Sequence, residues 1–131
     1  MIASLKISKC FQSIYETIQF SKLYQYEVLY IDSNSSDDSI DRANSFEFVK
    51  TFKLTEDFNA AIARNVGALE AIGDVLFFID GDMEIIPSFL LNVYSHEKGL
   101  IYPFVSGNWV DLNYDMKGNF LDKALTYEGN S

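Results

Sequence analysis

Ile7, Phe11, Ile14 and Ile18 recur at steps of four, three and four. That spacing draws one apolar stripe down a helix and predicts one from about Ala3 to Leu23. The next apolar segment has a different rhythm. "YEVLYID", Tyr26 to Asp32, is rich in β-branched and aromatic residues and ends in the polar run "SNSSDDS", so a strand running into a loop is expected. Ser36 or Asp37 is placed to cap a short helix from Asp38 to about Asn44, because their side-chain oxygens accept from the orphan amides of a first turn. "FEFVKTF" alternates well enough to be a second strand.

Further on, Phe58, Ile62, Asn65, Leu69 and Ile72 fall on one side of a helix from Asp57 to Ile72, with Gly73 where a left-handed cap would end it. The strand "DVLFFID" follows at once and runs into Asp80-Gly81-Asp82. Pro87 suits a first helical position, where its missing N–H costs nothing, and the helix is expected to continue through "SFLLNVYSHE" to Gly99. "LIYPFVS" reads as an edge or irregular strand because of Pro103. Beyond Gly107 the pattern predicts only a hairpin turn at Lys117-Gly118-Asn119. Alternating helices and strands make residues 1–131 a single α/β domain with a largely parallel sheet and right-handed crossovers. Ligands of such sheets collect at the carboxyl ends of the strands, where both polar clusters, "DSNSSDD" and "DGDME", lie.

Composition narrows the function classes. With 48% apolar and 15% aromatic residues the chain should fold, and a domain this size buries roughly two thirds of its unfolded surface in one core. A net charge of −9 without a basic stripe excludes nucleic acid as a partner. The one cysteine, Cys10, rules out an internal disulfide and reads as a small core residue. No apolar run approaches the ~20 residues of a membrane span, and "MIASLKISKC" is not a signal peptide, so a soluble cytoplasmic chain is expected. His96 beside Glu97 is expected near a helix end, and Trp109 either stacks on a sugar ring or packs. Asp80 and Asp82, either side of a glycine that admits close backbone approach, offer oxygen ligands suited to Mg²⁺ or Mn²⁺. The plainer reading is a solvated turn with Glu84 near the next helix N-terminus.

The order and spacing of "YEVLYIDSNSSDDS" and "FNAAIARNVGALEAIGDVLFFIDGDMEI" resemble the nucleotide-binding half of family 2 glycosyltransferases of the GT-A fold, over roughly residues 5 to 105. The matching pieces are Asp32 with Ser35, Ser36 and Asp37, then Ala63-Arg64-Asn65 with Gly67, Ala71 with Gly73, and Asp80-Gly81-Asp82. The resemblance implies a Rossmann-like, mostly parallel sheet flanked by helices, binding a nucleotide-diphospho-sugar, in the first instance a UDP-sugar, for inverting transfer to a glycan or lipid-linked acceptor. It also implies that the loop of Asp32, Ser33, Ser35 and Asp37 meets the base, that Arg64 lies near the nucleotide, and that Asp80, Gly81 and Asp82 form the metal end. There Asp82 ligates Mn²⁺ or Mg²⁺, and Asp80 contacts ribose or supports the metal. Many relatives carry a second acid where this chain has Ser33.

By the same resemblance, the family's usual first strand would precede Met1, and its general base would follow Ser131, so Asp111, Asp115 and Glu128 receive no catalytic assignment. Donor binding with weak transfer is therefore the expectation for this chain alone, and a non-catalytic nucleotide-sugar-binding fragment is the alternative. An Asp-nucleophile phosphatase using Asp80 is a more distant one. An unpaired strand edge would favour a homo-oligomer, and the regions beyond the chain would bring it to the inner face of a membrane.

Overall fold

The stripe is buried as its spacing predicts, on helix α1, Ala3–Ser21, in a computed structural model that describes residues 3–35, 38–56, 58–103, 105, 107 and 110–125. The helix stops at Ser21 because Lys22 turns left-handed, with φ 52°. The Leu23 amide then reaches back to the Ile18 carbonyl at 3.2 Å and the Lys22 amide to that of Gln19 at 3.3 Å. These two bonds form a Schellman closure with lysine where glycine is usual.

Strand β1, Val28–Asp32, helix α2, Ser39–Asn44, and strand β2, Val49–Lys53, form a parallel β-α-β unit. Its register runs from Val28 opposite Val49 to Asp32 opposite Lys53. Side chains of a strand alternate between faces, and β1 uses both. Val28 and Tyr30 pack on the core made by Ile7, Cys10, Phe11, Ile14 and Ile18 of α1 with Ala43 of α2. Phe11 meets Tyr30 edge to face at 5.6 Å and leans on Phe46 at 5.5 Å. Ile31 turns the other way, towards helix α3, Ala60–Glu70, where a β-carbon added to Gly67 would lie 3.6 Å from its Cγ1. Asn59 starts α3 by accepting the Ile62 amide at 2.8 Å.

The acidic turn rests on α1 rather than on a ladder. Ile79 and Ile85 pack against the α1 core, the Ile85 amide donates to Ser13 Oγ at 3.0 Å, and Cys10 Sγ donates to the Asp80 carbonyl at 3.7 Å. Beyond it come helix α4, Phe89–Val93, a minimal hairpin of β3, Tyr94–Ser95, and β4, Gly99–Leu100, and a longer hairpin of β5, Val110–Tyr114, and β6, Phe120–Leu125. Tyr114 ties that hairpin down by donating to Glu84, with Lys9 4.7 Å above its ring.

Several expectations are corrected. The largely parallel sheet is reduced, among the described residues, to the β1–β2 pair and two antiparallel hairpins. "DVLFFID" is not a strand: no backbone hydrogen bond among the described residues reaches 75–79, and Phe77 and Phe78 remain 49% and 54% exposed. A strand needs a neighbour to complete its hydrogen bonds, and among the described residues none pairs with this segment. The α3 stripe is not buried either: Ile62 is half-buried, and Leu69 and Ile72 are 84% and 85% exposed.

Gly73 is not a left-handed cap; α3 ends at extended Ala71. The helix expected from Pro87 to Gly99 covers only five residues, since Tyr94–Ser95 turn into the β3–β4 hairpin around Gly99 at φ 72°. "LIYPFVS" contributes only Leu100 to a strand among its described residues. His96 lies in that hairpin turn, 6.0 Å from the ring of Tyr24 and 5.9 Å from that of Tyr94. The predicted turn at Lys117-Gly118-Asn119 joins β5 to β6.

Candidate functional site

At the carboxyl end of β1 the chain turns sharply, and one carboxylate holds the turn. Asp32 is 1% exposed. Its Oδ1 accepts from Tyr30 Oη at 2.9 Å and Ser35 Oγ at 2.6 Å, and its Oδ2 from the Ser35 amide at 2.9 Å. Asn34, between them, takes φ 62°, which asparagine tolerates better than most residues. Burial alone would raise the Asp32 pKa, but the Ser35 hydroxyl and amide, the Tyr30 hydroxyl and the charge of Lys53 together hold it below the ordinary aspartate value. The carboxylate stays ionised and fixes where Ser33 and Ser35 stand.

The second cluster is Asp80-Gly81-Asp82, a turn closed by the Met83 amide on the Asp80 carbonyl at 2.9 Å. Arg64 reaches from α3 to Asp80, Nη2 to Oδ1 at 3.0 Å, with both side chains about half exposed. Gly81 lies against Ile7, where an added β-carbon would be 3.4 Å from Cγ1. Nearby, burial first and then the charges of Asp82, Glu84 and Asp80 push the Cys10 thiol up to about 12, so Cys10 is an inert core group. Burial, with Glu84 as acceptor, also pushes the Tyr114 hydroxyl up to about 12.

The two clusters share a cavity of about 330 Å³, lined by Lys6, Asp32, Ser33, Ser35, Gly81 and Asp82 among others, near the lower end of the range for small-molecule sites. Five of the sequence-predicted residues, Asp32, Ser33, Ser35, Gly81 and Asp82, therefore meet at one opening. Arg64 and Asp80 pair with each other and are not among the lining residues described, while Asp37 and Trp109 lie outside the described residues.

Lys6 and Ser39 were missed by sequence reasoning. Lys6 carried a signal: a lysine near a helix N-terminus opposes the macrodipole, and such a local conflict often marks a functional position. Asp115, by contrast, serves its own turn, accepting from the Lys117 and Asn119 amides at 2.9 Å each.

The carboxylates fit a hard divalent cation by chemistry. Asp82 faces the cavity and Asp80 keeps Oδ2 outside its pair with Arg64, and magnesium-type ions are commonly held by only one or two carboxylates, with water and phosphate completing the shell. A closed protein cage is not what the described residues offer, since they contain no cluster of three or more acidic, histidine or cysteine ligands. Nor is any helix among them long and apolar enough to cross a membrane.

Compared with known proteins, residues 4–122 match the family model described as glycosyl transferase family 2. No curated protein and no solved structure matches the chain.

Proposed function

Because the chain belongs to glycosyl transferase family 2, matched over residues 4–122 of its 131, we propose that the cavity between Asp32 and Asp82 holds the nucleotide diphosphate of a sugar donor. The observation that carries this reading is the shared opening itself: Ser33 and Ser35 of the β1 exit, Asp82 of the acidic turn and Lys6 of α1 all line it. On this account the Ser33 and Ser35 end takes the base, a UDP moiety in the first instance, and Asp32 holds that loop from beneath. Lys6 attracts the diphosphate on a chain whose net charge of −9 would otherwise repel it.

Asp82, supported by Asp80, is the place where Mn²⁺ or Mg²⁺ would be held. A divalent cation there supplies charge neutralisation to a departing diphosphate. Arg64 offsets part of the Asp80 charge beside Asp82. Transfer to a glycan or lipid-linked acceptor hydroxyl with inversion completes the reading. The apolar 75–79 segment, with Val75, Leu76, Phe77 and Phe78 about half exposed and no strand partner among the described residues, supports self-association.

Calorimetric titration of UDP into the chain, with and without Mn²⁺, tests the site. Manganese-dependent binding that Asp82→Ala abolishes supports the reading, and binding that ignores both metal and substitution overturns it.

A further inference from the structure

Three acids alternate through the turn, Asp80, Asp82 and Glu84, and the fold gives each a different setting. Asp80 pairs with Arg64 of α3, and Asp82 lines the cavity. Glu84 is not among the lining residues described; it accepts the hydroxyl of Tyr114 from β5. Helix α4 has no acid in its first turn, so a helix dipole does not account for Glu84. The described residues accordingly hold no converging set of three ligands, although the chain supplies three carboxylates between positions 80 and 84. Something keeps them apart, and the contact that does so for Glu84 comes from thirty residues further along the chain.

Tyr114 is held for this contact. Lys9 Nζ lies 4.7 Å from its ring centroid, and Phe120 meets the ring edge to face at 5.8 Å. Its hydroxyl, pushed up to about 12 by burial and by Glu84, stays protonated at neutral pH and therefore donates to the carboxylate. Without that donor Glu84 would be free to compete. It stands two residues from Asp82, at most about 7 Å of backbone, and its side chain turns about several staggered bonds. A second free carboxylate there would take a coordination position that phosphate otherwise fills and would repel the phosphate itself. We propose that Tyr114 is a positioning residue acting through Glu84: by engaging that carboxylate it withholds a competing acid from the cavity, so that Asp82 is the acid of the turn presented there. The inference rests on the reading of Asp82 as the acid that holds the cation.

The experiment compares three variants with the wild type. Tyr114→Phe keeps the ring and removes only the donor, Glu84→Gln keeps an oxygen that accepts from Tyr114, and the third carries both changes. Binding of Mn²⁺ alone is followed by water-proton relaxation, and binding of UDP at saturating Mn²⁺ by calorimetry. In Tyr114→Phe the released carboxylate should tighten Mn²⁺ by about 3- to 10-fold and weaken UDP by a similar factor, the effect of one unit charge about 4 Å away in a solvated site. Glu84→Gln alone should stay close to wild type. Adding it to Tyr114→Phe should restore both affinities, because the released side chain is then neutral. That rescue separates the proposal from a merely structural latch, which would leave the double variant as altered as Tyr114→Phe. Unchanged affinities in Tyr114→Phe, or a double variant that is not rescued, overturn the proposal. A wild-type chain that binds Mn²⁺ but not UDP overturns the donor reading, while the Mn²⁺ arm and its rescue still decide this one. A wild-type chain that binds no Mn²⁺ overturns both.

Discussion

Asp32→Asn tests whether one buried carboxylate organises the β1 exit loop. The substitution keeps the shape but replaces two acceptor oxygens with one oxygen and one NH₂. In the native loop Oδ1 receives two hydroxyls and Oδ2 receives the Ser35 amide. With the asparagine oxygen kept on the Ser35 amide, its NH₂ faces the Tyr30 and Ser35 hydroxyls, which must turn from donors into acceptors. All three bonds lose their charge assistance, so the total loss should be about 1–3 kcal/mol. Urea unfolding at neutral pH measures it as a lower midpoint at unchanged slope.

The pH dependence sharpens that test. Because the folded-state pKa of Asp32 is depressed below 3.8, its stabilisation is fully present above the unfolded value and is lost as pH falls through the folded one. The gap between wild type and Asp32→Asn should therefore be constant above about pH 5 and narrow below pH 3.8. A variant within about 0.5 kcal/mol of wild type at pH 7, or a gap that stays constant into acid, would refute the reasoning.

Three other outcomes follow from the same structure. Lys22→Gly should stabilise the chain by ~0.5–1 kcal/mol in urea, because a left-handed lysine costs ~1–2 kcal/mol and glycine returns part of that as lost chain entropy; a destabilised variant would contradict the Schellman closure. Cys10, 2% exposed and with its thiol pushed up to about 12, should resist iodoacetamide at pH 8 in the native chain and react on unfolding, as read by mass spectrometry. Its contribution to stability should be complete below the unfolded thiol value of 9.0 and fade as pH rises towards about 12. Asp80→Asn should change stability by less than ~1 kcal/mol, since its pair with Arg64 is half exposed, yet weaken manganese-dependent UDP binding; a larger stability loss would make Asp80 a structural residue.

The α1 stripe was legible in sequence because burial there depends on a helix period that the chain itself carries: Ile7, Phe11, Ile14 and Ile18 are all buried. The β1 exit was legible for a similar local reason, an apolar strand ending in a cluster of turn-forming polar residues. "DVLFFID" was misjudged because being a strand depends on a neighbour, and five apolar residues in a row do not reveal whether one is present. The α3 stripe failed in the same way, periodic in sequence but with no layer among the described residues to cover Leu69 and Ile72.

At α4 the error was one of competing signals. Pro87 and Ser88 favour a helix start, while Tyr94, Ser95 and the left-handed Gly99 favour a hairpin, and helix propensity in the segment is too weak to override the turn. The candidate site followed the local signals, so Asp32, Ser33, Ser35, Gly81 and Asp82 converge. Lys6 and Ser39 did not show, because which residues of α1 and α2 face the opening is set by packing. The Ser21 hydroxyl, buried without a partner among the described residues, is a property of three-dimensional packing and left no trace in the chain.

The most direct measurement of the central claim is paramagnetic broadening of ¹⁵N-labelled chain by substoichiometric Mn²⁺ in the presence of UDP. A donor site between the two clusters predicts the strongest broadening at Gly81, Asp82 and Met83, weaker effects at Ser33 and Ser35 that require UDP, and none at Ser21 or His96. Broadening spread evenly over exposed carboxylates such as Glu16, Glu47 and Glu70, unaltered by UDP, would contradict it.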